Sequence, residues 1–283
     1  MAKKNQAAEE QEGMSFLDHL EELRWHLIRS TLAIVIIAVV AFIFREFIFQ
    51  DIIFAPSEPD FISYELLCRL SQLVGSDNGC MTEMNFQIQN RTMSGQFSAA
   101  LWTSIISGIV LGFPYILYEF WRFVAPGLHP NERKNSRGFI VVSSLLFFIG
   151  ILFGYYIIAP LSINFLANFT VGEQVVNQFD IGSYIGLVRM SSLAAGLIFE
   201  LPIIIYFFTK IGLVTPQFLR KYRKYALVIV LVVSAVITPP DITTQVIVSI
   251  PILILYEASI LISAVVARKE ARKLKREKQK QEG

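Results

Sequence analysis

Charge is the scarcest thing in this chain. Only 17% of its 283 residues are charged and 54% are apolar, where a soluble domain carries about 25% charged residues. That shortage excludes an ordinary soluble fold. Histidine is nearly absent: His19, His26 and His129 all lie outside the apolar runs and form no metal-binding pair, so no metal site is expected. No Gly-rich loop with a lysine is present to cradle a phosphate, which removes nucleotide chemistry and leaves no cofactor implied. There is no Gly-x-Ser-x-Gly and no aspartate deep in an apolar run, so the sequence offers nothing for an intramembrane enzyme. Strict alternation is missing as well, which excludes a membrane barrel.

What is there is a set of six long apolar runs. They are Ser30 to Phe44, Thr92 to Tyr118, Gly138 to Gly172, Ile181 to Thr209, Ala226 to Pro240 and Ile242 to Ala267. A hydrocarbon core roughly 30 Å thick takes about 20 mainly apolar residues to span as a helix, and open strands would leave backbone groups unsatisfied in lipid. The chain is therefore read as an all-α integral membrane protein of six spans, with Pro160 expected to end the third helix. Span five has about 15 residues, hence roughly 22 Å, and the last two spans are expected to be short.

Basic residues set the expected orientation. Lys3, Lys4, Arg24 and Arg29 precede span one, and Arg122, Arg133, Lys134 and Arg137 follow span two. Lys210, Arg220, Lys221, Arg223 and Lys224 follow span four, and a basic tail runs from Arg268 to Lys280. The opposite loops hold only Arg45, Arg69 and Arg91. Both termini are thus expected in the cytoplasm. These charges are topology signals; a nucleic-acid reading has no soluble domain to carry it. The N-terminus shows no cleavable signal pattern, and insertion into a bacterial plasma (inner) membrane is the simplest expectation. Residues 1–13 are expected to be disordered, residues 14–267 to form the membrane domain, and 268–283 to form a cytoplasmic tail that is disordered, continues span six as a helix or lies on anionic lipid.

The one large external segment, about 47–91, is too polar to span. Phe61 to Val74 carries apolar residues at helical spacing, which predicts an amphipathic helix, and Gly75 to Gly79 reads as a turn. Cys68 and Cys80 flank that turn on the side where disulfides persist. The favoured reading is a disulfide worth about 2–3 kcal/mol; the alternative is two unrelated thiols.

The remaining signals are charges and polar groups in unusual places. Ser15 to Arg24 reads as a short inner-surface helix bending into span one, with Glu22 on it. Trp121 and Phe123 suit the interfacial aromatic belt. Pro126-Gly127 is a turn, and Glu132 lies in the first turn of the next helix. Glu22 and Glu132 give two acids on an otherwise basic face, and two carboxylates suit a ligand with two guanidinium groups. Glu200 lies ten residues before Lys210, hence about 15 Å deep, and Pro202 should kink the helix there. An acid at that depth is a functional candidate, and its pairing with Arg189 is disfavoured by their separation along one helix. Thr238-Pro-Pro-Asp241 forces a tight turn, and Thr243, Thr244 and Gln245 then open span six. They form either a solvated hairpin or a polar seat for another transmembrane helix.

Four of these stretches together resemble the TatC family, the multispanning receptor subunit of the twin-arginine protein translocase. They are His19-Leu-Glu-Glu-Leu-Arg24, Phe123-Val-Ala-Pro-Gly-Leu-His-Pro-Asn-Glu-Arg133, Phe199-Glu-Leu-Pro202 and Thr238-Pro-Pro-Asp-Ile-Thr-Thr-Gln245. The resemblance covers residues 15 to 266. It implies a glove-shaped fold with a concave face, and a receptor for folded cargo bearing Arg-Arg signal peptides. Glu22 and Glu132 match the family acids that bind the arginine pair. Arg24, Phe123, Pro126 and Arg133 match the surrounding motifs, and Glu200 matches the acid on the concave face. The region of Thr238, Asp241 and Gln245 resembles the docking zone for single-span TatA/TatB-type partners, and self-association is expected. Transport in the family runs on the proton-motive force without a nucleotide, and no enzymatic activity is implied. Trp25-His26 stands where members often have further basic residues, and the cysteine-bearing loop is longer than usual. The competing reading is a proton-coupled solute transporter working through Glu200.

Overall fold

A computed structural model describes residues 16–73, 86–124, 136–172, 174 and 176–282. The described residues are mainly helical, as expected, and five helical stretches are long and apolar enough to cross a membrane. They are Leu20–Ile43, Gly95–Val124, Gly138–Asn168, Ile181–Lys210 and Ile242–Arg272.

Helix α1 runs without a break over Phe16–Ile43. The expected separate surface helix is therefore the first part of the span itself. No glycine or proline interrupts these residues, so nothing bends the chain. A π-helical stretch at Ile48–Ile53 and a 3-10 turn at Ala55–Ser57 lead into α2, Ile62–Leu73. This is the expected amphipathic helix. Its Tyr64 hydroxyl donates to the Pro56 carbonyl at 2.8 Å, tying it to the preceding turn. Cys68 is disulfide-bonded; the other cysteine, Cys80, and the 75–79 turn lie outside the described residues. Reduction should lower the stability of this segment by about 2–3 kcal/mol. Proteolysis of the outer segment with and without dithiothreitol checks it, faster cleavage on reduction being the expected result.

Strand β1, Gln87–Gln89, pairs in parallel with β2, Gln178–Asp180, with Ile88 opposite Phe179. Sequence reading did not anticipate this pair, because three residues are too few to show alternation. The ladder joins the entrances of two long helices. Helix α3 spans Gly95–Val124 and α6 spans Ile181–Phe199. Asp180 caps α6 by accepting a hydrogen bond from Gly182 N at 2.9 Å.

The third span corrects an expectation. Helix α4, Ser136–Phe153, passes through a π-turn at Gly154–Ile158 and continues as α5, Ala159–Asn168. Pro160 opens α5 rather than ending the helix. The widened turn absorbs the carbonyl that the proline ring leaves without a donor. At Glu200, by contrast, where a kink is expected, one helix gives way to the next: α6 ends at Phe199 and α7, Leu201–Lys210, begins with Pro202 in its first turn.

Helix α8, Pro216–Lys221, leads into α9, Arg223–Ile237. With 15 residues, α9 is the short fifth run, too short to count among the five spanning stretches. The sixth run is not short. Helix α10 extends over Ile242–Glu282, 41 residues, with Pro251 inside it. The basic tail continues this helix because residues 268–282 are lysine, glutamate, arginine, glutamine, alanine and one leucine, all strong helix formers. Of the three alternatives for the tail, helical continuation of span six is the one observed.

The chain packs as two compact units. One comprises Met1–Phe44 and Leu101–Ser144, the other Arg45–Ala100 and Leu145–Gly283. In the first, α1 and α3 approach closely at Gly108, where a Cβ would stand 2.6 Å from the Ile34 carbonyl oxygen. The outward face of α1, including Leu32, Ile36 and Val39, is exposed, as a lipid-facing surface should be. In the second unit, Ile158, Ala195, Val230, Val248 and Ile252 form a core shared by the π-turn, α6, α9 and α10. Small hydroxyl residues join these helices. Ser234 and Ser249 hydroxyls lie 2.9 Å apart, and Thr209 donates to Ser263 at 2.8 Å. In lipid, where apolar contact gives little net drive, such contacts supply the adhesion.

Candidate functional site

Three of the six expected signal-binding residues set the starting point. Glu22, Arg24 and Phe123 are described; Pro126, Glu132 and Arg133, together with residues 1–13, lie outside the described residues. Glu22 lies on α1 with its side chain 36% exposed, and its Oε1 stands 3.9 Å from His26 Nε2. Its Oε2 is shielded from solvent yet has no hydrogen-bond partner among the described residues. Arg24 is exposed. Two residues beyond Glu22, it faces about 200° round the helix and is not brought to the same spot.

Two residues that sequence reading passed over complete the cluster. His26 is buried on α1, and its Nδ1 lies 2.5 Å from Glu119 Oε2 on α3. Glu119 is 2% exposed, the most deeply buried acid among the described residues. Phe123, one turn beyond Glu119 on α3, sets its ring edge against the imidazole at a centroid distance of 6.3 Å. The structure thus brings Glu22 and Phe123 together through a histidine and a second carboxylate. A signal existed for each. His26 stands four residues after Glu22, hence one helical turn away, and Glu119 closes an uncharged run of 27 residues, Thr92 to Tyr118. Trp121 also departs from expectation. It is buried against Phe139, centroids 4.6 Å apart, instead of lying in an exposed interfacial belt.

Glu200 belongs to the second unit, at the break between α6 and α7, and is buried. Its backbone bridges the break: its carbonyl accepts from Ile203 N and Ile204 N at 3.0 and 2.9 Å. Arg189, eleven residues earlier, has Nε and Nη1 buried with no hydrogen-bond partner among the described residues. Glu257 pairs instead with Arg223 at 2.7 Å, both about half exposed.

Thr238, Asp241 and Gln245 do meet, at the hairpin between α9 and α10. Thr238 donates to the Ser234 carbonyl at 2.9 Å and Gln245 to the Leu231 carbonyl at 2.9 Å. Asp241 accepts from Thr244 N at 2.7 Å, Thr244 Oγ1 at 2.6 Å and Thr243 N at 3.3 Å. Burial alone would push the Asp241 carboxyl up, but the hydrogen bonds from Thr244 and Thr243 outweigh it and hold the group below its usual 3.8. The polar groups are thus spent largely on closing the hairpin. A depressed folded value means the cap's contribution is complete above the usual value and is lost as pH falls through the depressed one. Thermal unfolding should therefore show an acid-side loss of stability that D241N diminishes; equal acid sensitivity in the two proteins would contradict the cap assignment.

Comparison with known proteins now decides the family. The family model described as Sec-independent protein translocase protein (TatC) matches residues 18–251. The chain belongs to the TatC family. A TatC protein of Blattabacterium sp. subsp. Periplaneta americana is 43% identical over 263 residues, covering 92% of this chain and 99% of that protein. TatCy of Bacillus subtilis is 34% identical over 256 residues, 90% of this chain and 91% of its own length. A crystal structure of a twin-arginine translocase receptor, TatC, in DDM superimposes with a TM-score of 0.67 at 32% identity, covering 87% of this chain and 99% of that one. The TatC match takes in Glu22, His26, Glu119, Glu200 and the α9–α10 hairpin. It leaves the solute-transporter reading of Glu200 without support.

Proposed function

We propose that this chain is the multispanning receptor subunit of a twin-arginine translocase in a bacterial plasma membrane, and that it binds the Arg-Arg signal peptides of folded cargo. The observation that carries this reading is Glu22. It is an acid on a matched family segment, partly screened from water, with one carboxylate oxygen left without a hydrogen-bond partner among the described residues. A guanidinium supplies two parallel N–H donors to such a group; a lysine supplies one point charge. Glu132, the second acid of the pair, takes the other arginine, with Phe123, Pro126 and Arg133 shaping the surrounding loop and Arg24 orienting it.

The rest of the proposal follows the family. Helix α9 is the sixth crossing, spanning a locally thinned bilayer, so that six spans place both termini in the cytoplasm in a glove-shaped body. The apolar stretch of the signal lies along a concave face toward Glu200. Single-span TatA/TatB-type partners dock beside the short α9, near Thr238, Asp241 and Gln245, and copies of the chain associate. Transport draws on the proton-motive force, and the chain is a translocase component rather than an enzyme.

The test is a pull-down from native membrane with an Arg-Arg signal fusion against a Lys-Lys control. Co-purification with the Arg-Arg fusion alone is expected. Equal recovery with both fusions, or with neither, would contradict the receptor reading.

A further inference from the structure

Neither His26 nor Glu119 is among the residues proposed to bind the signal. Two polar side chains buried between α1 and α3 are costly. An apolar pair of similar volume would hold two helices together at least as well. Packing alone therefore leaves the choice of residues unexplained.

The geometry supplies a reason. His26 Nδ1 lies 2.5 Å from Glu119 Oε2, and the same ring turns Nε2 toward Glu22 Oε1 at 3.9 Å. A neutral imidazole has one N–H. An N–H on Nδ1 donates to Glu119, and that bond turns the Nε2 edge of the ring toward Glu22, within ion-pair range but beyond hydrogen-bond length. Phe123 closes one side of the ring. The Tyr115 hydroxyl and the Arg122 guanidinium act on Glu119 from its own helix, and Arg29 acts on Tyr115 from α1. Glu119 is thus a buried anchor that holds the imidazole at a set angle, with its Nε2 edge beside Glu22 Oε1. Glu22 Oε2, shielded from solvent, is left without a hydrogen-bond partner among the described residues.

We propose that His26, anchored by Glu119, is the positioning residue that fixes the Glu22 carboxylate so that it distinguishes guanidinium from ammonium. This rests on the reading that Glu22 binds the signal arginine. A carboxylate held at one angle rewards the planar fork of arginine, whereas a freely turning one accepts any point charge. Removing the ring leaves the Glu22 charge in place, which attracts lysine and arginine alike. Loss of positioning therefore appears as lost discrimination rather than lost attraction.

The experiment measures the affinity of the full chain in detergent for an Arg-Arg signal peptide and its Lys-Lys counterpart. The variants are E22Q, H26Q, E119Q and the double variant H26L/E119L. The double variant removes both buried polar partners together, which is near neutral for a fold, and supplies the reading if either single variant does not fold. The expected result is a large loss of Arg-Arg binding in E22Q. In H26Q, E119Q and the double variant the ratio of Arg-Arg to Lys-Lys affinity should fall about tenfold, the scale of one charge-assisted hydrogen bond. An unchanged ratio in the folded variants, with E22Q still impaired, would overturn the positioning role alone. Full Arg-Arg binding by E22Q would overturn the underlying reading and this inference with it.

Discussion

Glu22→Gln should weaken binding of an Arg-Arg signal peptide by roughly 10- to 150-fold while leaving membrane insertion intact. The size follows from losing a charge-assisted hydrogen-bond pair, about 1.5–3 kcal/mol. Glutamine keeps the volume and one acceptor but has neither the charge nor the second oxygen. Insertion should not change, because the apolar spans and the basic loops govern it. Crosslinking of a photoreactive signal peptide in inverted vesicles, alongside alkali extraction of the variant, reads both quantities. The same substitution at Glu132 should give a comparable loss, and the double variant should lose less than the product of the two, because residues that act as one unit are not additive. Unaltered crosslinking in both single variants would remove the acidic pair as the binding site.

Gly150→Leu carries a large expected effect on stability. A Cβ at Gly150 on α4 would stand 2.7 Å from the Ala195 carbonyl oxygen and from Gly196 Cα, and 2.8 Å from Phe199 Cβ. Two of those three atoms are backbone and cannot turn aside. On the facing helix a Cβ at Gly196 would come within 2.9 Å of Phe147 and Ile151 side chains. The helices meet here through their backbones, and a leucine must force α4 and α6 apart. Overpacking of this kind costs about 3 kcal/mol, which for a chain of this size lowers the melting temperature by roughly 6–12 °C. Gly138→Leu is the control, since nothing lies within 4 Å of its Cβ position. Thermal unfolding of the two variants in detergent should separate them clearly. Because Phe199 and Glu200 follow directly on this contact, the loss should also disturb the break that carries the buried acid.

The spans were legible because they depend on local composition. A charge-free apolar run declares itself, and each of the five spanning helices falls on one. What escaped were features set by contact between distant segments. Pro160 reads as a terminator in isolation, yet the π-turn before it lets the helix continue. The β1–β2 pair joins residues about ninety positions apart, and no local pattern announces it. The candidate site divides the same way. Glu22 was visible from its motif, and Glu200 from its place in an apolar run. Glu119 was not, because its significance lies in His26, 93 residues away. The hairpin residues Thr238, Asp241 and Gln245 were noticed for being polar at a span's edge. Which partners they satisfy could be decided only by the fold, and those named by the structure belong to the hairpin itself.

Receptor function requires Glu22 and Glu132 to stand near enough to hold adjacent arginines at once. A double variant, Glu22→Cys with Glu132→Cys, treated in the membrane with a short bis-maleimide, tests this directly. Efficient bridging of the two positions within one chain is the predicted result. Thiols at 22 and 132 that each react singly and are never joined would place the acids on separate patches and contradict it.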